Sequence, residues 1–566
     1  MRSLLICTAL ALIIVLCAVV QPAKADVYPS HVRVTQATST AAFDGSFTDG
    51  TAAAIRFILS DHADSVIVRI RSGQTVVRTI KGTDFAAGDT AVVWDGKNDA
   101  GTDVSNGTYS IQIATYDKGY NTYKEIYYFG DGIGLSTRGV TVVKNSALKN
   151  FGFIYGLDSG GYLGTTGILR LTADGRPWGN SKGVGKLDNT GMTLGSGEAR
   201  YTPEADSDGY IYLISHTQRQ LLRFHTDTLN VAIVDSGSFG AWYPNGIGIL
   251  EGPTGKRIAM TTRNASGTAA LGTDSKVLGF HLNPGSTMNT GVRDTLVSGR
   301  GVALFWDVVF GRDSTLYVTF NPPTGQLKPG VAKFDLKGKT LPLTWADTSW
   351  TVRVDSGRGN TVNYWRGAAA DGSQDVVYFT IARLASGNPP QGQGIYAVTN
   401  LNAAQPTKTF AYPDQQNNLS ITRSDIAIDA VGNIIYFENS NEEIAIISPP
   451  TGANSYTLNS PTTVVVGTPT DVPVTDLVPE TFGLAQNYPN PFNPSTTIEY
   501  KVPVEGLVRL AVYNVLGQEV AVLVDGIVQP GHYKANFNAR NAPSGAYFYV
   551  LTAGQTVLKN RMILLK

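Results

Sequence analysis

Serine, histidine and aspartate are the first places to look for chemistry in this chain. Gly179-Asn180-Ser181-Lys182-Gly183 fits the G-x-S-x-G pattern of a serine nucleophile. Such a serine works only on a sharp turn between a strand and a helix, which lifts its hydroxyl clear of the chain. The surroundings here are RPWGNSKGVGKL, a glycine-rich loop, so the pattern reads as coincidence. The histidines His31, His62, His216, His225, His281 and His532 are scattered, with none paired at metal-ligand spacing. His216 and His225 flank one short hairpin and could meet, but surface positions at strand ends are the simpler reading. Asp206-x-Asp208-Gly209 supplies the opening of a calcium loop. The third ligand and the distal glutamate are missing, and Tyr210-Ile211 begins an apolar strand, so a turn is expected instead. These residues predict no catalytic group, no metal and no cofactor; calcium has no support beyond Asp206 and Asp208.

The elements that would carry any site follow from pattern and composition. The chain has 566 residues, too many for one core, so several domains are expected. It carries 45 basic and 45 acidic side chains, a balance that argues against a nucleic-acid footprint or a polybasic membrane surface. With 61 glycines, 26 tyrosines and no long helical periodicity, the fold class is all-β. Arg2, the apolar run Leu4–Val20 and Ala23-Lys24-Ala25 before Asp26 read as a signal peptide over 1–25. An uncleaved anchor is the plainer alternative; with cleavage, no membrane span is expected. A lipid anchor at Cys17 is disfavoured by the bulky Leu16 before it. Both cysteines, Cys7 and Cys17, lie in that segment, so the mature chain has neither disulfides nor cysteine metal sites.

After the signal, three textures succeed one another. Residues 26–135 contain alternating strands, among them IRFIL at 55–59, VIVRI at 66–70 and YSIQIAT at 109–115, the pattern of a β-sandwich. Residues 136–450 repeat an Asp-Gly or Gly turn, a strand, a polar loop and a second strand. The central strand of each unit starts near Ile154, Ile211, Ile258, Leu316, Val377 and Ile435, at steps of 47 to 61 residues. A repeat of that size built from short strands predicts a β-propeller, with six blades, or seven if the chain ends contribute another. Residues 451–479 are rich in Thr and Pro and read as an extended linker. Residues 480–566 open with the prolines of QNYPNPFNPSTTIEY, which fix φ and cannot donate, then give the strands of a second sandwich.

Two of these segments carry recognisable motifs. WDGKNDAGTDVSNGTY at 94–109 resembles the Ig-like domain of flagellar hook-cap (FlgD-type) proteins, which implies a spacer without chemistry. FGLAQNYPNPFNPSTTIEYKVP, VRLAVYNVLGQEVAVLVDGIVQPGHY and SGAYFYVLTAGQTVLKNRMILLK resemble in order the type A C-terminal sorting domain of type IX secretion. Its motif positions are Asn487, Tyr488, Pro489, Asn490, Pro491, Phe492, Asn493 and Pro494, with Gly517, Gly545 and Tyr547 further on. The resemblance implies a bacterium of the Bacteroidetes–Chlorobi kind and passage through the periplasm. It also implies recognition by the outer-membrane translocon and a secreted or surface-held product. The two end segments also match each other. Ile55 and Phe57 correspond to Ile498 and Tyr500, Trp94 to Phe537, and Gly107-x-Tyr109 to Gly545-x-Tyr547. Only the second carries the proline lead-in and a terminal strand.

The middle segment resembles the NHL and gluconolactonase-like propellers in rhythm. Propeller sites sit where blades converge on the central channel. Candidates there are Trp242 and Asn245, Trp306 and Asp307, Trp365 and Arg366, and Asp425. Their aromatic rings either pack between blades or line a mouth suited to a glycan or protein ligand. A gluconolactonase-like enzyme would instead need a divalent metal held by acidic and amide groups such as Glu204, Asn245, Asp307 and Asp425. The expectation is a non-enzymatic, exported binding protein; the alternatives are a channel-metal hydrolase or lactonase and a structural envelope component.

Overall fold

A computed structural model describes residues 27–565 apart from 179–201, 467–481 and short segments of other loops. The cleavage positions Ala23, Ala25 and Asp26, the serine pattern at 179–183, His216 and Gly517 lie outside the described residues. The described residues are strands, turns and two single-turn 3₁₀ segments, so the fold is all-β. None of their helices is long and apolar enough to cross a membrane.

The N-terminal sandwich packs a three-stranded sheet on a four-stranded one. The first orders Pro29–Gln36, Ala53–Leu59 and Gly88–Trp94. The second orders Asn454–Val466, Gly107–Asp117, Ala63–Ser72 and Thr75–Phe85. Alternation fixes the faces: Val66, Val68 and Ile70 point into the core while Arg69 and Arg71 stay at the surface. Trp94 is buried in that core and donates its indole N–H to the Lys97 carbonyl at 2.9 Å.

Asn454–Val466 corrects the linker expected over 451–479. It is a 13-residue strand paired with Gly107–Asp117, Leu458 opposite Ile113 and Val464 opposite Tyr109. Thr and Pro masked its alternation. A register shift between Asn459 and Thr463 absorbs Pro461, and the strand lies at the sheet edge, where a missing N–H is tolerated. The expected boundary at 135 shifts as well. Lys124–Phe129 leaves the sandwich and pairs with Glu443–Ser448. The whole middle region is therefore inserted between the sixth and seventh strands of the sandwich.

The C-terminal module repeats this plan. Gly483–Leu484, Ser495–Val502 and Gly531–Asn538 form one sheet; Glu519–Val528, Gly506–Asn514, Gly545–Ala553 and Thr556–Leu564 form the other. Thr556–Leu564 pairs with Gly545–Ala553 as Asn454–Val466 pairs with Gly107–Asp117. The first module thus has a terminal strand too, delivered from across the insertion. Local detail repeats with the topology. Gly107 and Gly545 hold φ of 157° and 155°. Two residues on, the Tyr109 and Tyr547 hydroxyls donate to the carbonyls of Ser105 at 2.6 Å and Pro543 at 2.8 Å.

The insertion forms six antiparallel sheets in chain order, the sixth completed by Lys124–Phe129. Their second strands are Ile154–Asp158, Tyr210–Ser215, Gly255–Asn264, Thr315–Asn321, Val376–Ala382 and Ile434–Glu438. The six repeat positions expected from sequence all fall within them. Apolar clusters join successive sheets, for example Tyr212 and Ile214 with Ile258 and Met260. A further cluster joins Ile435 and Phe437 of the sixth sheet to Val140 and Ile154 of the first. Tyr28 and Leu458 of the sandwich pack on Phe151, Ala173 and Val431 of the first and sixth sheets.

Candidate functional site

The candidate polar residues sit on the first strands of their sheets. These include Thr137–Val142, Glu204–Ala205, Trp242–Gly252, Leu304–Phe310, Arg358–Trp365 and Ser424–Ile428. Four of these strands bulge at one level, between Thr137 and Val140, Pro244 and Ile247, Phe305 and Val308, and Gly359 and Val362. A bulge strips a backbone N–H of its ladder partner. In the last three a buried threonine of the second strand replaces it. Gly246 N–H donates to Thr261 Oγ1 at 2.9 Å, Asp307 N–H to Thr319 Oγ1 at 3.0 Å and Thr361 N–H to Thr380 Oγ1 at 3.1 Å. Each threonine stands three residues after a repeat position, Ile258, Leu316 and Val377. That spacing is a signal the sequence reading did not use.

Asp307 and Asp425 have matching roles. Asp307 Oδ1 accepts the N–H of its neighbour Val308, and Oδ2 accepts that of Val362 on the next sheet, both at 2.9 Å. Asp425 accepts from Ile426 and, across to the first sheet, from Val140, again both at 2.9 Å. Each carboxylate thus joins the first strands of two sheets. Burial pushes Asp307 up to about 8 against the two N–H donors, with Glu204 adding to the rise. Burial also raises Asp425 far above the usual carboxylate range, and Asp307 and Glu204 raise it further. Gly246 is required here, because a Cβ at that position would overlap the Asp307 carboxylate.

The other candidates divide. Asn245 is buried, its carbonyl accepts from Thr202 Oγ1 at 3.0 Å, and its side-chain amide has no partner among the described residues. Glu204 is half-buried, and burial raises its carboxyl. Trp306 is half-buried, and its carbonyl accepts from Thr261. Trp365 packs in the apolar cluster between the fifth and sixth sheets, close against Gly432, and Arg366 is exposed beside it. Trp365 and Arg366 lie at the end of their strand, past the level of Asp307. The Trp242 side chain is not among those described. Among the described residues, no three His, Cys, Asp or Glu side chains are grouped to hold a metal ion.

The Asp206 turn already contains a cation. Asp206 Oδ1 accepts the N–H groups of Asp208 at 2.9 Å and Tyr210 at 2.8 Å. Its other oxygen binds Lys256 Nζ, which also reaches Asp208 at 2.7 Å and Glu251 at 3.6 Å. Burial alone would lower the ammonium, but the hydrogen bonds it donates to Asp206 and Asp208 raise it well above the ordinary lysine value.

In the C-terminal module the motif residues are mostly structural. Asn487 is buried; its N–H donates to Tyr549 Oη at 2.8 Å, and its amide to Pro489 O at 3.0 Å and Thr496 Oγ1 at 2.9 Å. Asn490 Oδ1 accepts the Ile563 N–H at 2.9 Å. Phe492 fills the core, and its backbone bridges to the last strand through Ile563 and Leu565. The Pro494 carbonyl accepts the Ala539 N–H at 2.8 Å.

Residues 40–119 match the family model described as FlgD Ig-like domain. Residues 486–565 match the model described as Secretion system C-terminal sorting domain. No curated protein matches the chain. Among solved structures, PorZ of Porphyromonas gingivalis, described as an essential bacterial surface component of the type IX secretion system, is 12% identical. That alignment covers 91% of this chain and 69% of PorZ at a TM-score of 0.34. A Dyadobacter fermentans protein of unknown function is 10% identical over 58% of this chain and 99% of its own, at 0.39. A Xanthomonas campestris gluconolactonase is 13% identical over 46% of this chain and 83% of its own, at 0.25. Likenesses this distant carry no argument. The sorting-domain match does: it marks the chain for type IX export to the cell surface or extracellular space, and implies contact with that machinery.

Proposed function

We propose that the chain is type IX cargo that delivers a six-bladed β-propeller as a binding module outside the cell. The sorting domain at 486–565 is the observation that carries this reading. The propeller is supported by six successive sheets, by apolar clusters between neighbours and by the cluster joining sixth to first. Lys124–Phe129 would close the ring by supplying the outer strand of the sixth blade. In this organisation 1–25 is a cleaved signal, the sandwich clamps both ends of the propeller, and 467–479 is the linker to a sorting domain at 480–566. Binding is preferred to hydrolysis because both oxygens of Asp307 and of Asp425 are spent on backbone N–H groups. The ligand class is an extracellular glycan or protein, met at the channel mouth around Trp242, Asn245 and Trp306.

The test compares the full chain with one lacking residues 483–566 in a host carrying the secretion system. The full chain should reach the surface or medium and the truncated one should remain in the periplasm; equal delivery refutes the export reading. A glycan and peptide array probed with the mature full chain tests binding. Turnover of a lactone or glycoside without retention on the array would favour the hydrolase.

A further inference from the structure

Within the motif Asn487–Pro494 one large side chain stands out from the fold. Tyr488 is 82% exposed, while Asn487 and Phe492 beside it are each 2% exposed. Lone exposed apolar residues are ordinary. Tyr488 differs in how it is held. Its N–H and carbonyl are both bonded to Thr497, at 2.9 and 3.0 Å, which fixes the backbone against the strand Ser495–Val502. The buried Asn487 anchors one side, and the exposed Pro489 and Pro491 stiffen the other. The result is a rigid ridge of one phenol ring and two pyrrolidine rings standing off the module. A tyrosine presented this way loses little conformational entropy on binding, which is why such residues serve as interface anchors.

We propose that the Tyr488–Pro489–Pro491 ridge is the surface read by the secretion machinery, with the Tyr488 ring as the anchor of that contact. The proposal rests on the sorting reading: a sorting domain must present something to its receptor. Asn487, Asn490 and Phe492 build the ridge, and Tyr488 makes the contact.

Full-length Tyr488→Ala and Tyr488→Phe chains are expressed in the host carrying the secretion system, beside wild type and the chain lacking 483–566. Tyr488→Ala should melt with the wild type and accumulate in the periplasm. Its surface delivery should fall by about thirtyfold, the size expected on losing an anchor residue. Tyr488→Phe keeps the ring and should be exported. Normal export of Tyr488→Ala, a lowered melting temperature for it, or failure of Tyr488→Phe each overturns the proposal. If the truncated chain is itself exported, the sorting reading fails. If only the truncated chain is retained, the Tyr488 assignment fails alone.

Discussion

Leu458→Ala tests whether residues 454–466 are a structural strand of the first sandwich. Leu458 is 2% exposed, lies opposite Ile113 in the sheet, and packs with Tyr28, Phe151, Ala173 and Val431. It therefore sits where the returning strand, the sandwich and the first and sixth sheets meet. Truncating a buried leucine to alanine removes transfer free energy and leaves a cavity, together about 2–5 kcal/mol. In a linker the same change would cost less than about 0.5 kcal/mol. A global unfolding free energy is poorly defined for a chain of several domains, so the measurement should be local. Native-state hydrogen exchange of the Gly107–Asp117 amides reads the opening of the paired strand. The expected loss converts to exchange faster by roughly thirtyfold to several thousandfold. Thr457→Ala, at an exposed neighbouring position, should leave exchange unchanged. Wild-type exchange in the Leu458 variant would refute the insertion of the middle region within the sandwich.

Asp307→Ala leaves the N–H groups of Val308 and Val362 without acceptors, at about 1–3 kcal/mol each, read by native-state hydrogen exchange of Leu304–Phe310 and Arg358–Trp365. Because the folded Asp307 carboxyl is raised to about 8, its contribution is full below about pH 4 and declines as pH rises to about 8; the variant should lose that slope. His31 behaves oppositely. Burial lowers it to about 4, so stability present above its ordinary value near 6.5 is lost as pH falls toward 4. That loss is about 3 kcal/mol. It should appear as faster exchange in Pro29–Gln36 where His31 meets Phe153 and Trp178, and His31→Asn, which tolerates the positive φ, should abolish it. Lys256→Met strands the buried Asp206 carboxylate and should cost about 3–5 kcal/mol in the opening of Gly255–Asn264 read by hydrogen exchange, largely recovered by adding Asp206→Asn.

Much of the architecture was legible because strands advertise themselves locally. Val66, Val68 and Ile70 alternate with polar neighbours, and the six repeat positions mark six second strands. Asp206-x-Asp208-Gly209 read correctly as a turn, yet nothing near it in sequence announced that Lys256 would fill it. Asp307 and Asp425 were recognisable as polar candidates, though on loops leading into the strands rather than on the first strands that hold them. Their spending on Val362 and Val140 was not, because those N–H groups become free only when the neighbouring strands dock.

Sequence alone determined the all-β class, the two sandwiches and their shared design, and the sorting module with its proline-rich entry. Each of these is written in periodicity or motif over a few tens of residues. Only the tertiary structure decided that Lys124–Phe129 joins the sixth sheet and that Asn454–Val466 completes the first sandwich, where Gln112 bonds Asn459 across 347 residues. An edge strand shows the same alternation whichever sheet it enters. Its partner is chosen by which open edge and apolar face remain once the rest of the chain has packed, and that choice leaves no trace in local spacing.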